Sequence, residues 1–250
     1  MTPTTLFRAE WGSRAYGTNT EASDQDIIQV VIEPPEYITG LEVFKPRHES
    51  TSGAQNRSLA DDIDTVTYGL NKYASLVVQG NPQVLATLWL TDLEEQSIYY
   101  SALRDLRHHF ISKGAGQRYL GYMKSQRHHL ISDDKASRPR PELVDKHGYD
   151  TKFAMHAVRL GYQGLELMTT GNIDLPMNGT ALQICRDIRE GKRTKESVVG
   201  LIALLEDKLA SVIDDSSLPE TGDHDIMNEF LHWTYTTDWS KNHNAKFTTP

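Results

Sequence analysis

The sequence has little of what marks a secreted or membrane-spanning protein. Its 250 residues include one cysteine, Cys185, so no internal disulfide can form, and its apolar surroundings indicate a buried structural thiol. No apolar run approaches the roughly 18 residues that a membrane-spanning helix needs. The N-terminus also lacks the apolar core of a signal peptide. We therefore expect a cytoplasmic protein without a membrane partner.

Apolar residues are also scarce, at 38% of the chain, but this is well above the fraction found in disordered proteins. The net charge of −8 argues against a protein that coats nucleic acid in general. The charge is unevenly distributed, because residues 104–159 contain 12 Lys and Arg but 6 Asp and Glu. A basic middle beside an acidic N-terminal part suits an anionic substrate held near carboxylate-bound metal ions. A solvated helical surface would show the same pattern.

Strand signals are confined to the N-terminal part of the chain. Runs of apolar and β-branched residues predict strands over 6–11, 26–32 and 63–68, and 37–44 is a further candidate strand. Residues 46–58 are polar and without periodicity, which predicts a loop.

The rest of the chain has apolar residues at helical spacing. A helix is predicted after Pro82, residues 138–141 read as an extended connector, and 226–233 are expected to form one short docking helix. We therefore predict an α+β protein: a mixed β-sheet with flanking helices in residues 1–95, then a helical bundle with a partly irregular tail in 96–250. The other predicted helices cover 98–113, 116–131, 152–170, 181–190 and 195–213.

One segment, GSRAYGTNTEASDQDIIQVVI, carries an arrangement of acids that folding does not favour. Asp24 and Asp26 lie one residue apart at the start of a predicted strand. Residues i and i+2 of a strand point to the same face, so the two carboxylates would repel each other. Hard dications such as Mg²⁺ or Mn²⁺ prefer carboxylate oxygens and would relieve that repulsion. The pair predicts a metal site, and the alternative is a solvated turn.

A third carboxylate would complete a site for two metal ions. Two ions about 3.5 to 4 Å apart can clamp the attacking and leaving oxygens of an in-line displacement. The candidates for the third ligand are Asp61, Asp62 and Asp64. We choose Asp64 because it lies inside a strand-like segment, whereas the other two precede it.

The turn before the acidic pair has residues suited to phosphate. Gly12 would let the backbone approach a ligand closely, Ser13 adds a hydroxyl group and Arg14 adds a cation. Each feature is weak alone, and their combination with the acidic pair predicts a phosphate-binding turn beside a metal site.

These residues resemble the DNA polymerase β nucleotidyltransferase superfamily, whose pattern is Gly-Ser, a short helix, Asp-x-Asp on a strand and an acid on a neighbouring strand. More narrowly, the chain resembles predicted nucleotidyltransferases, some associated with RNA repair, that share GSRA-x-G and SD-x-D, here Gly12–Gly17 and Ser23–Asp26. An Asn-Pro helix start at Asn81-Pro82 and a K-x-A-x-H-x-x-R-like helix at Lys152–Leu160 extend the resemblance. Ala86 stands where family members commonly carry a Glu, so any role of that Glu is absent or moved.

The resemblance implies a catalytic domain in residues 1–95 that moves a nucleotidyl group from a nucleoside triphosphate to an acceptor hydroxyl. Asp24, Asp26 and Asp64 would hold two Mg²⁺ or Mn²⁺ ions. On the helix from Lys152, a polar stripe of Lys152, His156, Arg159 and Gln163 would then face the nucleotide. Without the resemblance, the same stripe reads as a solvated helix face.

The acceptor stays open at this point. An RNA 3′ end is expected from the RNA-repair relatives, and the alternatives are a protein or small-molecule hydroxyl, or an inert nucleotide-binding regulatory module. Aromatic and basic residues interleave from Tyr119 to Arg127 and could grip single-stranded RNA, although amphipathic packing explains the same pattern. The pairs His108-His109 and His128-His129 do not predict zinc, because adjacent histidines on a helix diverge by about 100°.

Overall fold

The computed structural model describes residues 3–21, 23–51, 62–131 and 140–242. The strands are β1 (Thr4–Trp11), β2 (Gln25–Ile32), β3 (Arg47–Ser50), β4 (Ile63–Gly69) and β5 (Glu95–Gln96). The helices are α1 (Gly12–Ala15), α2 (Pro35–Ile38), α3 (Leu70–Val78), α4 (Pro82–Leu85), α5 (Ile98–Asp105), α6 (Lys113–Ile131), α7 (Pro141–His147), α8 (Thr151–Thr170), α9 (Gly179–Arg189), α10 (Lys195–Asp214) and α11 (His224–Asn242), with 3₁₀ turns at Ala86–Trp89 and Arg107–Phe110.

The five strands form one mixed sheet in the order β3-β4-β2-β1-β5. β2 pairs with β1 in antiparallel and with β4 in parallel orientation, and the other pairs are antiparallel. The register places Asp26 opposite Asp64 on one side and opposite Trp11 on the other. The start of β2 therefore lies between the last residue of β1 and the start of β4, which is where the site is built.

Helix α8 is the centre of the helical part and packs against α6, α9 and α10. Its N-terminus is capped by the carboxylate of Asp150, which accepts hydrogen bonds from the Lys152 and Phe153 amides at 2.9 and 3.1 Å. A Cβ at Gly164 would lie 2.9 Å from Leu209 and 3.0 Å from Tyr119, so this glycine allows three helices to meet closely. The cap and the packing fix the orientation of the residues near the N-terminal end of α8.

The last helix, α11, returns to the sheet. The Tyr235 hydroxyl donates to the Glu33 carboxylate at 2.7 Å, and the Trp239 indole donates to the Glu33 carbonyl at 2.9 Å. One cluster of buried side chains runs from the sheet into the helical part. β5 spans the predicted boundary at residues 95 and 96, and the division into two domains stays a prediction.

The α+β prediction is confirmed, but four local predictions change. Residues 37–44 are not a strand, because Pro35 starts the short helix α2. Residues 47–50, predicted as loop, form the edge strand β3, whose four exposed residues give no apolar alternation; 52–58 lie outside the described residues. The helix predicted over 98–113 is α5 followed by a 3₁₀ turn. The short docking helix is the 19-residue α11.

One further segment differs from the sequence-based prediction. Residues 138–141 were predicted as an extended connector. The structure describes this segment from residue 140 onward, and Pro141 starts helix α7. Within the described part of the chain, every helix is too short or too polar to span a bilayer.

Candidate active site

Three carboxylates meet where β2 and β4 begin. Oxygens of Asp24, Asp26 and Asp64 lie within 4.8 Å of one another, and all three side chains are partly buried. The parallel register sets Asp26 beside Asp64, and the Gln25 amide donates to the Asp62 carbonyl at 2.9 Å, which aligns the entry to the two strands. The proximity expected for the third carboxylate is therefore present. A group of three such oxygen donors can bind a metal ion.

The electrostatics of Asp26 reflect this crowding. Burial, and then the neighbouring charge of Asp24, raise the pKa of the Asp26 carboxyl from 3.8 to about 6. Lys152 opposes the shift and Asp64 adds to it. Within the described part of the chain, no hydrogen-bond donor contacts the Asp26 side chain. A cation bound at the cluster would reverse the repulsion that opposes ionisation.

The turn after β1 brings backbone against this cluster. Gly12 has a φ of +64°, and a Cβ built on it would overlap the Asp26 carboxylate. Glycine is required here for two reasons, the left-handed conformation and the close approach. Ser13 follows and lines the cavity beside the cluster. The predicted phosphate-binding turn therefore lies next to the carboxylates.

A cavity of about 620 Å³ opens beside Asp24 and Asp26, on the side of Gly12 and Ser13. We call it the basic cavity, because its lining includes four cationic side chains. They come from α7's N-cap residue and from helices α8 and α9: Arg140, Lys152, Arg159 and Arg189.

Two α8 residues in the basic cavity have perturbed pKa values. Burial, followed by Arg140, lowers the pKa of Lys152. Burial, followed by Arg159 and Lys152, lowers the pKa of His156 well below 6.5. The His156 imidazole is therefore neutral at pH 7 and can accept or donate a hydrogen bond without adding charge.

Arg159 lies deeper than the other cations. Its side chain is 3% exposed, its guanidinium lies 3.8 Å from the centroid of the Tyr16 ring, and it donates to Gln163 Oε1 at 2.6 Å. It also lies 3.4 Å from Nδ1 of His156. The polar stripe on α8 is thus not a solvated face. Arg159 joins α8 to the turn that carries Gly12.

Arg14, which the sequence predicts as a cation of the phosphate-binding turn, contacts the loop before β2 in the structure. Its guanidinium donates to the Ser23 and Asp24 carbonyls, each at 3.3 Å, and pairs with Glu10 at 3.5 Å. It is not among the residues that line the basic cavity. The structure therefore places Arg14 as a support for the loop that presents Asp24.

A second cavity, of about 690 Å³, opens on the other side of the carboxylates. Trp11, Asp26 and Gln83 line both cavities, whereas Asp64 lines only this one. We call it the apolar cavity, because Ile28, Val66 and other apolar side chains form much of its wall. The carboxylate cluster lies between a cavity lined by four cationic side chains and one that no Lys or Arg side chain of the described residues lines.

Sequence reasoning did not single out Arg140 and Arg189. Arg140 sits in the RPRP segment and Arg189 near the end of a predicted helix, and neither position has a local pattern that points to a ligand. Their pKa effects on Lys152 and His156 come from tertiary proximity. The excess of basic residues in the middle of the chain was the sequence feature that could have indicated a role for Arg140.

The structure also shows where other residues considered for RNA or metal binding lie and what they contact. Tyr119 is fully buried and so cannot stack a base, and Arg127 pairs with Glu206 at 3.0 Å. Asp62 accepts a hydrogen bond from Thr51 Oγ1 at 3.2 Å, and Asp61 lies outside the described residues. Within the described ranges, the histidine pairs belong to no group of three metal-binding side chains.

Comparisons with known proteins add a family. The model of the RNA repair pathway DNA polymerase beta family (RlaP) matches residues 2–232. An uncharacterized 38.9 kDa protein of Enterobacteria phage T4 is 26% identical over 126 residues, which make up 49% of this chain and 37% of that protein. The matched region thus spans little more than a third of the phage protein. A crystal structure of a nucleotidyltransferase-like protein from Exiguobacterium sibiricum aligns with 99% of this chain and 77% of its own, at 10% identity and a TM-score of 0.30.

Proposed function

Since this chain belongs to the RNA repair pathway DNA polymerase beta family, we propose that it is a metal-dependent nucleotidyltransferase. It moves a nucleoside monophosphate group from a nucleoside triphosphate to an acceptor hydroxyl and releases pyrophosphate. The observation that carries the proposal is the position of three carboxylates between a basic and an apolar cavity. Such a reaction needs a site for a phosphate-rich donor and a site for a less charged acceptor at one centre.

The carboxylate cluster suits divalent cations, and we propose two Mg²⁺ or Mn²⁺ ions. Asp24, Asp26 and Asp64 would hold them, because hard cations prefer carboxylate oxygens. When bound, two such ions stabilise the attacking and the leaving oxygens of an in-line displacement. The raised pKa of Asp26 supports the assignment, since burial, and then the neighbouring carboxylates, disfavour its ionised form without a counter-charge.

The triphosphate fits the basic cavity. Gly12 and Ser13 would seat its β- and γ-phosphates, while Lys152, Arg140 and Arg189 offset its charge. The same cations stabilise the negative charge that develops on the departing pyrophosphate. His156 would contact the nucleotide as a neutral hydrogen-bonding group, because its pKa is well below 6.5.

The chemical step exchanges one bond to phosphorus for another. The acceptor oxygen bonds to the α-phosphorus, and the bond from that phosphorus to the bridging oxygen breaks, so that pyrophosphate leaves. The proton of the acceptor hydroxyl passes to a carboxylate of the cluster. We propose an RNA 3′ end as the acceptor, which the family's description as an RNA repair family supports.

Measurement of pyrophosphate release tests the proposal. The wild type would be assayed with each of the four nucleoside triphosphates in Mg²⁺ or Mn²⁺, with RNA, protein and small-alcohol acceptors and radiolabelled donor. We expect label on RNA, its loss in Asp26→Asn, and its retention in Asp92→Asn, a matched change at an exposed aspartate. Label on protein or a small alcohol alone would overturn the RNA acceptor. Nucleotide binding without pyrophosphate release under every condition would instead indicate an inert regulatory module.

A further inference from the structure

The apolar cavity has a lining that the triphosphate donor does not explain. Among the described residues, no Lys or Arg side chain lines it. Its wall includes buried Ile28 and Val84 and half-buried Val66 and Tyr68. Its volume of about 690 Å³ lies in the range of small-molecule sites, which hold a group much larger than one amino-acid side chain. The lining also includes the acidic residues Asp26, Glu49 and Asp64, which would repel a phosphate chain, so a flat, weakly charged chemical group fits this space better.

The strand geometry connects this wall to the carboxylates. Asp64, Val66 and Tyr68 alternate along β4 and therefore share one face, and Asp26 and Ile28 do the same on the neighbouring β2. At about 3.3 Å per residue, Tyr68 lies about 13 Å along the strand from Asp64. A ligand whose hydroxyl reaches the carboxylates would extend over Val66 towards the Tyr68 ring.

A second aromatic ring stands near the far end of this path. Tyr122 of α6 is 37% exposed, and its hydroxyl accepts a hydrogen bond from the Asn81 side chain at 3.1 Å. Burial, and then the electrostatic effect of Tyr122, raise the pKa of Tyr68, so the two phenols lie within electrostatic reach of each other. Tyr68 and Tyr122 each offer a partly accessible aromatic ring on which a base can stack without regard to sequence.

We infer that the apolar cavity binds the 3′-terminal nucleoside of a single-stranded nucleic-acid acceptor, with its base packed against Tyr68. The inference rests on the proposed function, because that function places the acceptor hydroxyl at Asp26 and Asp64. The terminal hydroxyl lies at the carboxylates, the terminal base packs along Val66 and Tyr68, and the strand leaves past Tyr122. Tyr68 is then a binding residue for the terminal base of the acceptor and does not contact the donor.

A double-mutant cycle between protein and acceptor tests this contact. Affinities of a 5′-labelled ten-nucleotide RNA would be measured by fluorescence anisotropy, for the intact RNA and for one whose 3′-terminal residue lacks its base. We expect removal of the base to weaken binding to the wild type by about 5- to 150-fold, the range of one base–aromatic stack. Binding to Tyr68→Ala should be weak and insensitive to the base, and Tyr68→Phe should restore the preference.

Tyr162→Ala is the matched control, because Tyr162 is also half-buried but lines neither cavity. Equal binding of both RNAs by the wild type, an unchanged base preference in Tyr68→Ala, or no RNA binding at all would overturn the inference. Pyrophosphate release with the same RNAs separates the two proposals. Pyrophosphate release without a preference for the terminal base would contradict the Tyr68 contact alone. A preference for the terminal base without pyrophosphate release would contradict the transferase activity alone.

Discussion

Two acidic side chains at opposite ends of β2 show how differently one fold treats a carboxylate. The carboxylate of Asp26, at the start of the strand, lies beside two other carboxylates, and no described residue donates a hydrogen bond to it. Glu33, directly after the strand, is 2% exposed and accepts hydrogen bonds from the Leu70 and Asn71 amides and from the Tyr235 hydroxyl. The Asp26 carboxylate therefore has no hydrogen-bond donor among the described residues, whereas the Glu33 carboxylate has three.

The difference indicates separate purposes for the two ends. Glu33 caps α3 and ties α11 to the sheet, so its bonds contribute to the stability of the fold. The arrangement around Asp26 opposes stability until a counter-charge arrives, which is typical of a site selected for binding. Removal of the carboxylate charge at the two ends should therefore change the free energy of unfolding of the metal-free protein in opposite directions.

The largest effect is expected for Glu33→Ala. It would leave the Leu70 and Asn71 amides and the Tyr235 hydroxyl without their buried acceptor, and should lower the free energy of unfolding by about 3 to 5 kcal/mol. Urea denaturation measures this, with Glu36→Ala as a control at an exposed glutamate three residues away. Equal stability of the two variants would contradict the role of Glu33.

Gly12→Ala tests the crowded end. A left-handed alanine and its overlap with the Asp26 carboxylate should together lower the free energy of unfolding by about 2 to 4 kcal/mol and weaken metal binding. Gly121→Ala is the opposite control, because a Cβ there meets no atom within 4 Å inside helix α6, so it should stabilise by up to about 1 kcal/mol. Thermal unfolding with and without Mg²⁺ compares them.

Asp26→Asn should stabilise the metal-free protein. Because folding raises the Asp26 pKa from 3.8 to about 6, its contribution is favourable below pH 4 and is lost as the pH rises through 6. In a chelator at pH 8, the variant should be about 1 to 3 kcal/mol more stable than wild type after allowance for solvent screening, with no difference below pH 4. Added Mg²⁺ should stabilise the wild type and reverse the order. A wild type as stable as the variant at pH 8 in chelator would show that Asp26 is not repelled.

Tyr235→Phe is the smallest change. It removes one of the donors to Glu33 while keeping the ring, and should lower the free energy of unfolding by about 1 to 2 kcal/mol, since a buried charged acceptor loses a partner. Tyr37→Phe, at a partly exposed ring, should have an effect near zero. A wild-type urea midpoint for Tyr235→Phe would mean that water replaces the lost donor.

Short patterns predicted much of this protein, because they depend on local physics. Alternation and β-branched runs located β1, β2 and β4, and apolar spacing located α6, α8, α9 and α10. The GSRA and SD-x-D motif was enough to predict the family, which the match over residues 2–232 confirms. The edge strand β3 was not predicted, because its four residues are polar and exposed and show no alternation of apolar and polar side chains.

The amino-acid sequence alone determined the identity of the acidic residues and the glycine that must precede them, since spacing of one residue fixes a shared strand face. Only the tertiary structure decided which neighbours they meet. The parallel register brought Asp64 to Asp26, and helix packing carried Arg140 and Arg189 to the basic cavity from distant parts of the chain. It also buried Arg159 against Tyr16 and turned Arg14 towards the Asp24 loop. Distances between residues far apart in sequence depend on how whole elements pack, which no local pattern encodes.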